Sequence, residues 1–145
     1  MSDYTYKLDM AGFLWEIVSP VELETRENCV PFLTDRPGAD VSLRFRLERP
    51  DERGTLVHER APRVWQEEDG ALRIERLPAA AVKPCACVWM REDDPFSVTG
   101  CIYPNRADFI RSLDNLLDSS ELELLLTKLG IFSLHSSAGY KCHPT

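Results

Sequence analysis

From Val41 to Glu48, apolar and polar residues alternate without a break. Val41, Leu43, Phe45 and Leu47 fall on one side, and Ser42, Arg44, Arg46 and Glu48 on the other. A helix would scatter the four apolar side chains around its axis. An extended strand gathers them on one face and sends the polar residues to the other. The segment therefore commits the chain to a sheet with one covered face. Turn-forming residues bound it, with Asp35-Arg36-Pro37-Gly38 before and Pro50-Asp51-Glu52-Arg53-Gly54 after.

The period of two holds to about residue 103. Phe13-Leu14-Trp15-Glu16-Ile17-Val18 is rich in strand formers and stops at Ser19-Pro20. Residues 63–66 and 71–76 flank Glu67-Glu68-Asp69-Gly70, and its Asp-Gly pair supplies the left-handed backbone of a tight reversal. Residues 85–90 and 96–103 flank the second turn, Arg91-Glu92-Asp93-Asp94-Pro95. This predicts an antiparallel, meander-like sheet of roughly five to seven strands.

Beyond Tyr103 the period becomes that of a helix. Asn105 is placed to cap a first helix carrying Phe109, Ile110, Leu113, Leu116 and Leu117 on one face. Ser120-Glu121-Leu122-Glu123 has the form of a capping box for a second helix, which Gly130 would end. Ile131-Phe132-Ser133-Leu134 then reads as a short strand. The predicted fold class is α+β: an N-terminal antiparallel β-meander sheet, two helices and a final short strand. A single domain would span 1–135, β-rich over 1–103, helical over 104–130 and strand over 131–135, with an irregular tail at 136–145.

Lysine and arginine number 17 against 24 acids, a net charge of −7. A nucleic-acid partner needs a basic surface, as does an anionic membrane, so neither is expected. There is no run of about 18 apolar residues and no basic, apolar leader at the N-terminus, which predicts a cytoplasmic protein. Five cysteines, at 29, 85, 87, 101 and 142, read as free thiols rather than a disulfide framework.

Glu121-Leu122-Glu123-Leu124-Leu125-Leu126, followed by Gly130-Ile131-Phe132-Ser133-Leu134-His135-Ser136-Ser137-Ala138, resembles a junction in proteins related to HPr serine kinase. That group shares the core of ATP-dependent phosphoenolpyruvate carboxykinase, and there a leucine-rich helix and strand lead into a phosphate loop. The sequence after Ala138 is Gly139-Tyr140-Lys141-Cys142-His143-Pro144-Thr145. No G-x-x-x-x-G-K-[ST] occurs in the chain. Without those backbone amides and that lysine, phosphoryl transfer loses both positioning and charge stabilisation. The resemblance thus implies a non-catalytic accessory or recognition domain, similar to the N-terminal part of an HPr-kinase-like enzyme and cut short before the phosphate loop. It implies no cofactor and no enzymatic activity. The alternative is a stand-alone protein–protein interaction module unrelated to kinases. Either reading expects a protein or peptide partner, with homo-oligomerisation as a further option.

By the resemblance, His135 and Ser136 are the candidate substrate-binding residues. Taken locally, His135 is a histidine satisfied by hydrogen bonds at a strand end, and adjacent residues on a strand point to opposite faces, which keeps His135 and Ser136 from pairing catalytically. Cys85-x-Cys87 puts two thiols on one strand face, and Cys101 on the paired strand could join them in a zinc site, although buried structural cysteines explain the spacing better. Trp15, Trp65 and Trp89 read as packing residues that could also line a groove. Glu67-Glu68-Asp69 and Glu92-Asp93-Asp94 read as solvated turn acids.

Overall fold

The alternation at 41–48 is realised as a strand, and the face it gathers organises the molecule. The computed structural model describes residues 3–26, 29–51, 54–59, 63–75, 84–94 and 96–119. They contain eight strands: β1 (Tyr4–Met10), β2 (Phe13–Ser19), β3 (Val41–Leu47), β4 (Thr55–His58), β5 (Arg63–Gln66), β6 (Leu72–Glu75), β7 (Ala86–Met90) and β8 (Ser97–Ile102). Two 3-10 turns, Val30–Phe32 and Pro104–Phe109, and one α-helix, α1 (Leu113–Ser119), complete them.

All eight strands form one sheet in the order β1-β2-β3-β8-β7-β6-β5-β4. β3 lies parallel to both of its neighbours, β2 and β8. Every other pair is antiparallel. After β3 the chain crosses to the far edge, starts again at β4, and walks back strand by strand until β8 docks on β3.

In-register rows carry the apolar face across the sheet. Leu8 faces Trp15, Trp15 faces Val41, Ile17 faces Leu43 and Leu43 faces Val98. Ile74 and Val88 continue the face through the meander. The 20–33 crossover covers it with Leu23 and Cys29, and 110–117 covers it with Ile110, Leu113, Leu116 and Leu117. The two covers are tied together: the Glu24 amide donates to the Arg111 carbonyl and the Leu113 amide to the Glu24 carbonyl, each at 2.9 Å. The Cys29 thiol donates to Asp114 Oδ1 at 2.7 Å. Burial, and then that carboxylate, push the Cys29 thiol up to about 12.

Gly100 sits on β8 opposite Phe45 and Val88. A Cβ there would lie 2.6 Å from Phe45 Cε2 and 2.8 Å from the Cys87 carbonyl oxygen. The bare backbone is what lets the Phe45 ring lie down on the sheet.

The α+β expectation is overturned: the described protein is predominantly β, a single mixed sheet with one short helix. The sheet is not a plain meander, because the long 20–40 crossover returns the chain parallel to β2. Nor does the helix expected from Asn105 form. Pro104 opens a 3-10 turn with no side-chain cap, and Ile110 leaves it in extended backbone. The pairing of Glu24 with Ser112 then holds the chain extended. Ser112 caps α1 instead, accepting the Asn115 amide on Oγ at 3.1 Å. Ser112→Ala is expected to cost about 1 kcal/mol, read as a lowered urea midpoint with an unchanged slope. The second helix (120–130) and the final strand (131–135) expected from the sequence lie outside the described residues. No described helix is long and apolar enough to cross a membrane.

Candidate functional site

The sheet face opposite the core changes character along the strand order. Over β1–β3 it carries Lys7, Glu16, Arg44 and Arg46, half-exposed or exposed. Over β5–β8 it is more covered and still polar, with Arg73, Glu75, Cys87 and Cys101 buried and Arg63, Trp65 and Trp89 half-buried. The two hairpins place these residues. With the reversal centred on Asp69-Gly70, Arg63 faces Glu75 and Trp65 faces Arg73. Arg73 in turn faces Trp89, and Cys87 faces Cys101.

Two rows of interactions result. In the first, Arg73, 1% exposed, lies with its guanidinium 4.2 Å from the centre of the Trp65 ring. Its Nε donates to Glu67 Oε2 at 3.2 Å, and Trp89 Nε1 donates to the same oxygen at 3.0 Å. A desolvated cation over an indole contributes on the order of 2 kcal/mol. In the second row Glu75, 4% exposed, accepts Arg63 Nη2 at 2.7 Å and the Tyr103 hydroxyl at 2.5 Å. Arg49 lies over the Tyr103 ring at 4.8 Å. Burial, then the neighbouring Cys87 and Glu75, hold the Tyr103 phenol well above its ordinary range, so it acts as a donor. Arg73 and Glu75, the two buried charges, each have an opposite charge and a hydrogen bond, the condition under which a buried ion pair is tolerated, while Arg63 keeps its Nε buried without a partner. The array locks four strands together.

The same sheet ends in an edge of a different kind. All four residues of β4 are exposed, including Leu56 at 44% and Val57 at 52%. β4 pairs with β5 on one side, and no described strand pairs with its other side. A bulge between Leu56 and His58 takes Val57 out of the ladder. Leu56 faces Trp65, so it heads the row that continues through Arg73 and Trp89. Thr55 faces Gln66, which faces Leu72. Gln66 and Leu72 line a cleft of about 300 Å³ with Asp69, Gly70, Arg91, Glu92 and Asp93. Three carboxylates stand there against one guanidinium. Asp69 is held below the usual carboxylate range, first by the Ala71 backbone amide and then by Arg91, whose Nη1 lies at 2.9 Å. One edge thus offers an apolar ridge on one face and an acidic cleft beside the other.

His135 and Ser136, the residues proposed for substrate binding, lie outside the described residues. Cys87 and Cys101 are brought opposite each other as the spacing suggested. Among the described residues, no group of three or more His, Cys, Asp or Glu side chains is placed to hold a metal ion. Trp15 is a core residue whose Nε1 donates to the Met10 carbonyl at 2.9 Å. Trp65 and Trp89 belong to the polar array. Glu67 is not a solvated turn acid, because Arg73 and Trp89 both claim its carboxylate. Sequence reasoning missed Arg73, Glu75 and Tyr103. Part of the signal was present: an Asp-Gly hairpin of this length sets Arg63 opposite Glu75. Comparison with protein-family models, with curated proteins and with solved structures finds no match to the chain.

Proposed function

We propose that the protein is a recognition module that binds an extended, basic segment of a partner protein along β4, without catalysis of its own. The observation that carries this reading is the exposed outermost strand, with Leu56 and Val57 uncovered at the end of a locked sheet. A strand added to such an edge gains affinity from backbone hydrogen bonds, and its alternate side chains supply specificity. On one face those side chains would rest on the Leu56–Trp65 ridge. On the other, a long cationic side chain would pass over the small Gly54 and Thr55 toward Asp69, Glu92 and Asp93. A chain of net charge −7 attracts a basic partner and repels a second copy of itself. The buried polar array supports a binding role over a catalytic one, since its charged groups engage one another. A place beside an HPr-kinase-like core rests on residues 121–138 alone, which lie outside the described region. The edge reading rests on strands that are in place.

The test is fluorescence anisotropy with a panel of ten-residue strand-forming peptides whose alternate positions are lysine or arginine, glutamate, or neutral. Basic peptides should bind, more weakly at higher salt, and Leu56→Lys should weaken binding by about tenfold or more. Absence of binding across the panel, or equal binding by L56K, would sink the proposal. So would a concentration-dependent dimer that L56K abolishes, because the edge would then serve a second copy.

A further inference from the structure

We propose that Cys87 and Cys101 form a thiol-redox site, closing reversibly to a cross-strand disulfide by exchange with small-molecule disulfides. The two residues are direct partners in the β7–β8 ladder and share its outer face. Two residues along, the Tyr103 amide donates to the Cys85 carbonyl at 2.8 Å. That rung fixes the phase of the ladder, so Cys87 and Cys101 also occupy a hydrogen-bonded rung. Partner Cα atoms at such a rung lie about 5.5 Å apart, well inside the window of roughly 4.4–6.8 Å that a disulfide spans. Both residues are fully buried, and they pack with Tyr103 and Trp89 in a cluster separate from the main core. None of the four described cysteines is in a disulfide.

The pair is also divided chemically. The Cys87 thiol is pushed up, chiefly by donating its hydrogen bond to Cys101 and then by burial. Cys101 is pushed down by receiving that bond, with Arg46 adding to the effect. The sulfur with more thiolate character is the one that attacks. Arg46 and Glu48, the charged side chains that act on Cys101, are themselves well exposed. The way in therefore runs past surface side chains that can swing aside.

In the exchange, the Cys101 thiolate attacks one sulfur of a small disulfide such as oxidised glutathione. One thiolate leaves, and Cys101 carries a mixed disulfide. Cys87 passes its proton to the departed thiolate and attacks the Cys101 sulfur. The second small thiolate leaves and takes up the proton that Cys101 gave up on ionising. Two protein thiols are oxidised and one small disulfide is reduced to two thiols. The new bond staples β7 to β8, the strand that joins the meander to β3.

The test equilibrates the folded chain in glutathione redox buffers, quenches it with acid, and reads intact mass and the linked peptides. A Cys85→Ser, Cys142→Ser variant is run beside the natural chain, in which fragmentation between Cys85 and Cys87 locates the bond. The expected result is loss of two hydrogens, a peptide joining Cys87 to Cys101, and full return with dithiothreitol. An unchanged mass in the most oxidising buffer, a glutathione adduct that never resolves, or a bond using Cys85, Cys29 or Cys142 in the natural chain would each overturn the proposal.

Discussion

Glu75→Ala is expected to destabilise the protein by about 3–5 kcal/mol, which corresponds to a fall in melting temperature on the order of 10 °C. The loss is not the worth of two hydrogen bonds. Removing the carboxylate leaves the buried Tyr103 hydroxyl with the weakly bonding Cys87 thiol in place of its strong acceptor, and takes from Arg63 the oxygen it holds at 2.7 Å. A buried donor without a good acceptor costs much of its desolvation. Arg63 is about one-third exposed and can turn partly to water, whereas Tyr103 is 2% exposed and cannot. Most of the penalty should therefore follow the phenol. Tyr103→Phe in the Glu75→Ala background should recover part of the loss, and a double-mutant cycle from urea unfolding would measure the coupling. A single-mutant loss below about 1 kcal/mol would mean that the array does not clamp the strands.

Gly100→Ala is expected to cost about 3 kcal/mol, a large penalty for one methyl group. The added Cβ meets two atoms of unlike freedom. The Phe45 ring could tilt away, at the expense of its packing on the sheet. The Cys87 carbonyl oxygen, 2.8 Å from the new carbon, belongs to the β7–β8 ladder and cannot retreat without spreading the strands. Phe45→Leu combined with Gly100→Ala should relieve the first clash and leave the second. The double variant is thus expected to be less destabilised than additivity predicts, yet still well below wild type in urea midpoint. A Gly100→Ala variant within about 1 kcal/mol of wild type would show that the two strands slide freely, against the account of a locked sheet.

Local signals decided most of what could be read ahead of the structure. The hairpins at 63–75 and 86–102 follow from Asp-Gly and acid-rich turns between strand formers, and β3 follows from strict alternation. β4 was not anticipated, because Thr55-Leu56-Val57-His58 is short and lacks the alternation that burial of one face imposes. The parallel contact of β3 with β2 depends on where a crossover of about twenty residues lands, and that with β8 on where the meander ends, neither of which a local pattern encodes. The helix read from Asn105 failed through competition: the extended pairing of Glu24 with Ser112 outweighed the helical period of 105–112. At the candidate site, Leu56 could not be assigned a role without knowing that its strand is the last in the sheet. The Arg63–Glu75 pairing was within reach of turn chemistry, but the burial that gives it weight was not.

The seam at β3 has a bearing on how the chain comes together. Ser42 meets Glu16 of β2 on one side, but on the other it finds its partner only at Ser97, after four intervening strands have been made. A polypeptide emerging from the ribosome can assemble β1, β2 and β3 early, then carries the far side of β3 open until β8 arrives. Such distant closure places folding on the slow side, milliseconds to seconds rather than microseconds. During that interval Arg44, Arg46 and Glu48 stand as charged guards along the open strand, deterring a neighbouring nascent chain from taking the berth that β8 will fill.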